Sequence, residues 1–133
     1  MGNETCLRVE RDADVVAARQ KGRELAALAG ITGSDLTVVA TAISEIARNI
    51  IVYAKRGQIV LKIVQNGHRR GVVVIATDQG PGIANIDMAM RDGFSTGKSL
   101  GLGLPGARRL MDDFEIVSEP GHGVTVTMTK WSR

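Results

Sequence analysis

The chain has 133 residues, enough for one buried core but not for a second folding unit beside it. Hydrophobic residues make up 44% and aromatics only 3%, so the core must be aliphatic, and the aromatic platforms that stack single-stranded nucleic acid are missing. The net charge of +3 comes from scattered basic residues, with Arg69-Arg70 and Arg108-Arg109 forming pairs and no stripe, which argues against a nucleic-acid partner. A lone cysteine, Cys6, excludes an intrachain disulfide and suits a reducing compartment. The N-terminus lacks the basic and apolar regions of a secretory signal. Uninterrupted apolar runs, such as Val72 to Ala76, fall far below the roughly twenty residues that a bilayer span requires. The expectation is a cytoplasmic protein without membrane contact.

Thr5 to Glu10 alternates and reads as a strand, with Asp12 or Asp14 behind it as candidate helix caps. Val15, Ala18, Gly22, Leu25 and Ala29 recur at helical spacing as far as Gly30, a C-terminal stop. Ser34 or Asp35 caps a second helix, whose stripe of Leu36, Val39, Ile43, Ile46, Ile50 and Tyr53 carries it to about Ala54. Gln58 to Gln65 and Gly71 to Thr77 are rich in Val and Ile and form an antiparallel hairpin across Asn66-Gly67-His68-Arg69-Arg70, which leaves Asp78 at a strand end. Residues 83–100 mix glycine, serine and threonine with a short helical pattern near Ile86 to Arg91 and read as a lid. Pro105 suits the first turn of a helix reaching about Met111, because its missing N–H costs nothing there. Phe114 to Glu119 and Val124 to Trp131 flank Pro120-Gly121-His122-Gly123 as a last hairpin. The expected fold is a single domain over 1–133, an α+β two-layer sandwich with helices on one face of a mixed, mostly antiparallel sheet.

Four polar or glycine-rich blocks punctuate this frame: Glu45 to Asn49, Asp78 to Gly82, Gly101 to Leu104, and Gly121 to Thr125. At about 100° per residue, Glu45 and Asn49 share the side of the second helix that faces away from Ile43, Ile46 and Ile50, among Val38, Ala42 and Val52. A helix apolar on two sides is covered on both, and a carboxylate and an amide set there need partners. A metal ion and a ligand hydroxyl would serve; so would Arg48 or Arg19 for Glu45 and a loop carbonyl for Asn49. Asp78, followed by Gly80 and Gly82, would stand beside backbone that a planar ring can approach. Its carboxylate would accept from the exocyclic amine of adenine, where guanine offers a carbonyl; a plain Asp-Gly-Pro turn is the alternative. Gly101 and Gly103 precede a helix start, where free N–H groups attract phosphate, a flexible hinge being the alternative, and Lys98, three residues before Gly101, could neutralise a terminal phosphate once the lid closes or else stand solvated. Neither a Walker nor a Rossmann loop pattern is present.

The order and spacing of these blocks resemble the GHKL superfamily of ATP-binding domains, the Bergerat-type fold shared by gyrase, MutL and the histidine kinases, over nearly all of residues 34–129. The small size and short lid are similar to the bacterial anti-sigma and switch serine kinases. The nearest resemblance is to the switch kinases of the stressosome, through Thr41 to Ile50, Asp78 to Ile83, Asp92 to Thr96, Leu104-Pro105-Gly106 and the ending Lys130-Trp131. This resemblance implies ATP and Mg2+ as ligands, with Asn49 holding the metal and Glu45 acting as general base. It places Asp78, Gly80, Gly82 and Ile83 around adenine, with Thr125 supporting Asp78, and Lys98, Gly101, Leu102, Gly103 and Leu104 around the phosphates. It also implies a serine on a STAS-domain scaffold as substrate and a PP2C-type phosphatase as the partner activated on release. An anti-sigma kinase and a non-catalytic, nucleotide-gated binding module stay open as alternatives. A histidine-kinase catalytic module also stays open, but it needs a phosphoacceptor histidine on a dimerisation helix, and His68 and His122 both sit in expected turns.

Overall fold

A computed structural model describes residues 4–80, 103–118 and 121–133. In chain order these form β1 (Thr5–Val9), α1 (Asp12–Leu28), α2 (Ser34–Ala54), β2 (Gly57–Asn66), β3 (Arg69–Asp78), α3 (Gly103–Leu110), β4 (Asp113–Ser118) and β5 (Val124–Trp131). The lid expected over residues 83–100 lies outside the described residues. The strands make one five-stranded sheet in the order β1-β2-β3-β5-β4, and all four ladders are antiparallel. The mixed character expected from sequence therefore narrows to an antiparallel sheet. β3 and β4 do run in the same direction, but β5 inserts between them and pairs with both.

Strand alternation sends one set of side chains toward the helices: Val9, Ile59, Leu61, Val72, Val74, Ala76, Val126 and Met128 are all buried there. Against them pack Ala18, Leu25, Val39, Ile43, Ile46 and Ile50 from α1 and α2. Gly22 lets the two helices close on each other, because a Cβ there would collide with Ile43. On α2 the burial runs without a break from Ala42 to Ala47, so both of its sides are covered, with the sheet, α1 and α3 all packed against it; Leu104 and Ala107 of α3 and Met111 just after it are buried. This explains why α2, alone among the described residues, is long and apolar enough by composition to cross a membrane. Uninterrupted apolar runs understate it, since Ser44, Glu45, Arg48 and Asn49 divide the stretch.

Helix ends differ from expectation in which residues cap them. Arg11 is the N-cap of α1, and Asp14 reaches back from the third helical position to accept the N–H groups of Glu10 and Arg11 at 2.9 and 3.1 Å. Gly33 holds the N-cap of α2, so neither Ser34 nor Asp35 does, and Asp35 serves the first turn by charge alone. The stop at Gly30 is a Schellman motif: with φ +89, it donates to Ala27 O at 3.0 Å while Ile31 donates to Ala26 O at 3.0 Å. In the β2–β3 hairpin the expected five-residue connection contracts to Gly67-His68, Gly67 taking φ +64.

Candidate functional site

Glu45 and Asn49 occupy successive turns of α2, about 6 Å apart along its axis. Glu45 is 5% exposed, and Arg48 approaches its Oε2 to 3.4 Å from a half-exposed position. The Arg48 pairing anticipated as one alternative is thus present, though a pair reached from solvent is weak. Asn49 is the unusual member: its Nδ2 is buried with no hydrogen-bond partner among the described residues. Buried amides almost always have one. Half a turn of the amide about χ2 exchanges nitrogen and oxygen, so the same point can offer a donor to an anion or an acceptor to a cation. Val52, one turn beyond on the same face, is exposed.

Asp78 closes β3 opposite Gly57, the first residue of β2. Its Oδ1 accepts the N–H of Gly80 at 2.9 Å and that of Val124 at 3.3 Å. Three glycines let backbone close in on it. A Cβ on Gly57 would come within 3.0 Å of the Asp78 Cβ, one on Gly80 within 2.6 Å of the Ala54 Cβ, and one on Gly123 into the Asp78 carbonyl. Gly123 also holds φ +87, a conformation that suits glycine. The end of α2, the end of β3 and the start of β5 therefore meet at one corner. Gly57 and Ala54 were not legible as part of it, because their relevance arises only from the register that sets Gly57 against Asp78.

Thr125 does not take the place expected of it. It pairs with Thr77, and the buried Val126, Met128 and Lys130 fix the parity of β5, so Thr125 projects from the sheet face away from the helices. The last block reaches Asp78 through the N–H of Val124, one residue earlier. Period-two alternation accounts for the difference: a single step along a strand changes the face.

At the other side of α2, Gly103 and Leu104 begin α3, with Leu104 9% exposed and Pro105 inside the first turn. Gly82, Ile83, Lys98, Gly101 and Leu102 lie outside the described residues. Among the described residues the structure thus holds a buried carboxylate, an amide whose buried Nδ2 has no partner, an Asp fixed by backbone donors, and a helix start on the helix packed against α2. Among the described residues no three His, Cys, Asp or Glu side chains gather as a metal cluster.

A family model described as a histidine kinase-like ATPase domain matches residues 9–130. The chain belongs to this family. It is 47% identical over 133 residues to Serine/threonine-protein kinase RsbT of Bacillus subtilis (strain 168), with 100% of both chains covered. It is 34% identical over 106 residues to an anti-sigma F factor of Thermoanaerobacter sp. (strain X514), covering 75% of this chain and 73% of that one. Another anti-sigma F factor, from Clostridium kluyveri, is 34% identical over 105 residues, with coverage of 74% and 72%. Matched over its whole length to a kinase, within a family of ATPase domains, the chain is an enzyme of the kinase class.

Proposed function

We propose that the chain is a single-domain, cytoplasmic serine kinase that moves the γ-phosphoryl group of ATP to a serine of a STAS-domain scaffold protein. On release from that scaffold it binds and activates a PP2C-type phosphatase. The observation that carries the reading is the pair on α2, a buried carboxylate and, one turn on, an amide whose buried Nδ2 has no partner among the described residues, on a helix against which α3 packs.

ATP would lie along α2. Asp78, with Oδ1 fixed by two backbone N–H groups, would present Oδ2 to the exocyclic amine of adenine, with Gly80, Gly82 and Ile83 admitting the ring. From the Ala54 end of this corner to Glu45 the helix spans about 13 Å, a length that a nucleoside triphosphate can bridge. The amides of Gly101, Leu102, Gly103 and Leu104 would meet the phosphates at the positive end of α3, with Lys98 beside the terminal one. Asn49 fits Mg2+ as a lone protein ligand, since this ion keeps phosphates and waters as its other ligands. When bound, the ion supplies charge neutralisation on the phosphates. Glu45 would accept the proton of the incoming serine hydroxyl, and burial favours proton transfer by keeping bulk water away.

The Glu45–Arg48 pair favours a second reading, because it gives the carboxylate a structural task that a nucleotide-gated binding module would also need. The anti-sigma F relatives favour a third, in which the same chemistry serves a sigma factor. One experiment separates them. Purified protein is mixed with Mg-ATP and candidate STAS-domain proteins, and phosphorylated residues are mapped by mass spectrometry, with Glu45→Gln as control. Stoichiometric phosphoserine that falls by roughly 100-fold or more in the control is expected. ATP binding without transfer to any candidate would discard the switch-kinase reading, and normal transfer by Glu45→Gln would discard the base.

A further inference from the structure

Besides Glu45, one charged side chain is buried among the described residues, and the chemistry above makes no use of it. Lys130, 7% exposed, follows Val126 and Met128 on the helix-facing side of β5. A buried ammonium persists only with partners. Its Nζ donates to the carbonyl of Leu110, the last residue of α3, at 3.2 Å, and stands 3.6 Å from Asp112 Oδ1. Asp112 in turn accepts the N–H of Trp131 at 2.8 Å and Nη2 of Arg133 at 2.7 Å, while its own N–H donates to Thr129 O at 2.9 Å. The C-terminal end of α3, with its unpaired carbonyls and negative dipole end, is therefore held to β5 by a cation and a carboxylate.

The opposite end of this helix carries the N–H groups of Gly103 and Leu104. Eight residues make a rod of about 12 Å, too short to bend, so whatever fixes one end fixes the other. Packing against α2 through Leu104, Ala107 and Met111 sets the distance between the helices. The link from Lys130 to Leu110 O adds an axial stop at the C-terminal end.

We propose that the Lys130–Asp112 clasp is a positioning device for the triphosphate, setting where the leading amides of α3 stand and so the affinity for phosphate. The inference rests on the reading of that helix start as the phosphate site. It predicts a split between ligands that share adenine and differ in phosphate. In titration calorimetry of the full chain, well below its unfolding temperature, Lys130→Met should raise the Kd for Mg-ATP by roughly ten-fold. The Kd for adenosine, held at the Asp78 corner, should stay within about two-fold. Asp112→Asn, which keeps shape and an acceptor for Trp131, should show the same split in smaller measure and decides the matter if Lys130→Met does not fold. Amide exchange at Met111, bonded to Ala107 O at 3.2 Å, should quicken in both variants. Equal losses for ATP and adenosine would reduce the clasp to a general structural role, and no loss for either would remove it. Because binding alone is read, a wild-type protein that binds Mg-ATP but transfers nothing would overturn the kinase reading and leave this result standing; one that binds no nucleotide would overturn both.

Discussion

The Asp78 corner and the Glu45–Asn49 face of α2 differ in what satisfies their polar atoms. At the corner the chain does so itself: the N–H groups of Gly80 and Val124 converge on Oδ1, and Gly57, Gly80 and Gly123 let backbone approach that closely. On α2 the Asn49 nitrogen is buried with nothing bonded to it among the described residues. A buried unsatisfied group costs about 1–3 kcal/mol, so among the described residues such a penalty falls at Asn49 Nδ2 and not at Asp78 Oδ1. A carboxylate oriented by the chain's own backbone donors suits selection of a base by shape and acceptor pattern. A face that is incomplete suits coupling of ligand binding to stability.

The largest effect that would sharpen this contrast belongs to Asp78→Asn. The two backbone N–H groups would keep the amide oxygen, leaving an NH2 group opposite the adenine amine, donor against donor. Affinity for ATP should fall by roughly 10- to 100-fold, and the preference for ATP over GTP should narrow, since guanine offers a carbonyl at that point. Calorimetric titration with both nucleotides reads this directly. An ATP-to-GTP ratio unchanged by the substitution would remove Asp78 as the reader of the base.

Asn49→Leu tests the other region and should act in the opposite sense. Replacing an unsatisfied buried amide by an apolar side chain should stabilise the ligand-free protein by about 1 kcal/mol, while the rise in Tm produced by Mg-ATP disappears. Thermal unfolding with and without nucleotide gives both quantities. A loss of stability without ligand would show that the amide is already satisfied in the free protein, and the contrast between the two regions would collapse.

These two regions were unequally legible in the sequence. Apolar periodicity placed α1 and α2, because α2 buries one stripe of isoleucines against the sheet, and runs rich in Val and Ile around glycine-bearing turns placed both hairpins. The same wheel put Glu45 and Asn49 on one face, where Glu45 is buried, Asn49 half-buried and Val52 exposed. Details set by one residue were less accessible. Thr125 was placed at Asp78, yet the parity of β5 gives that contact to Val124. Asp12 and Ser34 looked like caps, yet Arg11 and Gly33 hold those positions, with Asp14 reaching back from within its helix. Gly57 carried no signal of its own, for its role depends on a register that only the assembled sheet defines.

Asp14 and Asp112 supply the smallest effect and extend the contrast to acid. Both are carboxylates that, like Asp78, accept backbone N–H groups. At Asp14 the N–H groups of Glu10 and Arg11 hold the carboxyl below the ordinary range. At Asp112 burial pushes the carboxyl up, but the Trp131 N–H, Lys130 and Arg133 outweigh it and leave it lowered. A carboxyl lowered in the folded state contributes stability that is fully present above the ordinary value of about 4. That stability is lost as pH falls through the lowered values, because the unfolded chain takes up its proton first. The urea midpoint should therefore stay level from about pH 7 to about pH 5 and decline below about pH 4. Asp14→Asn and Asp112→Asn should each lower the plateau and flatten part of that decline. If neither alters the slope, the acid-labile groups lie elsewhere, and the backbone-held carboxylates outside the Asp78 corner are not the counterpart to it that their hydrogen bonds indicate.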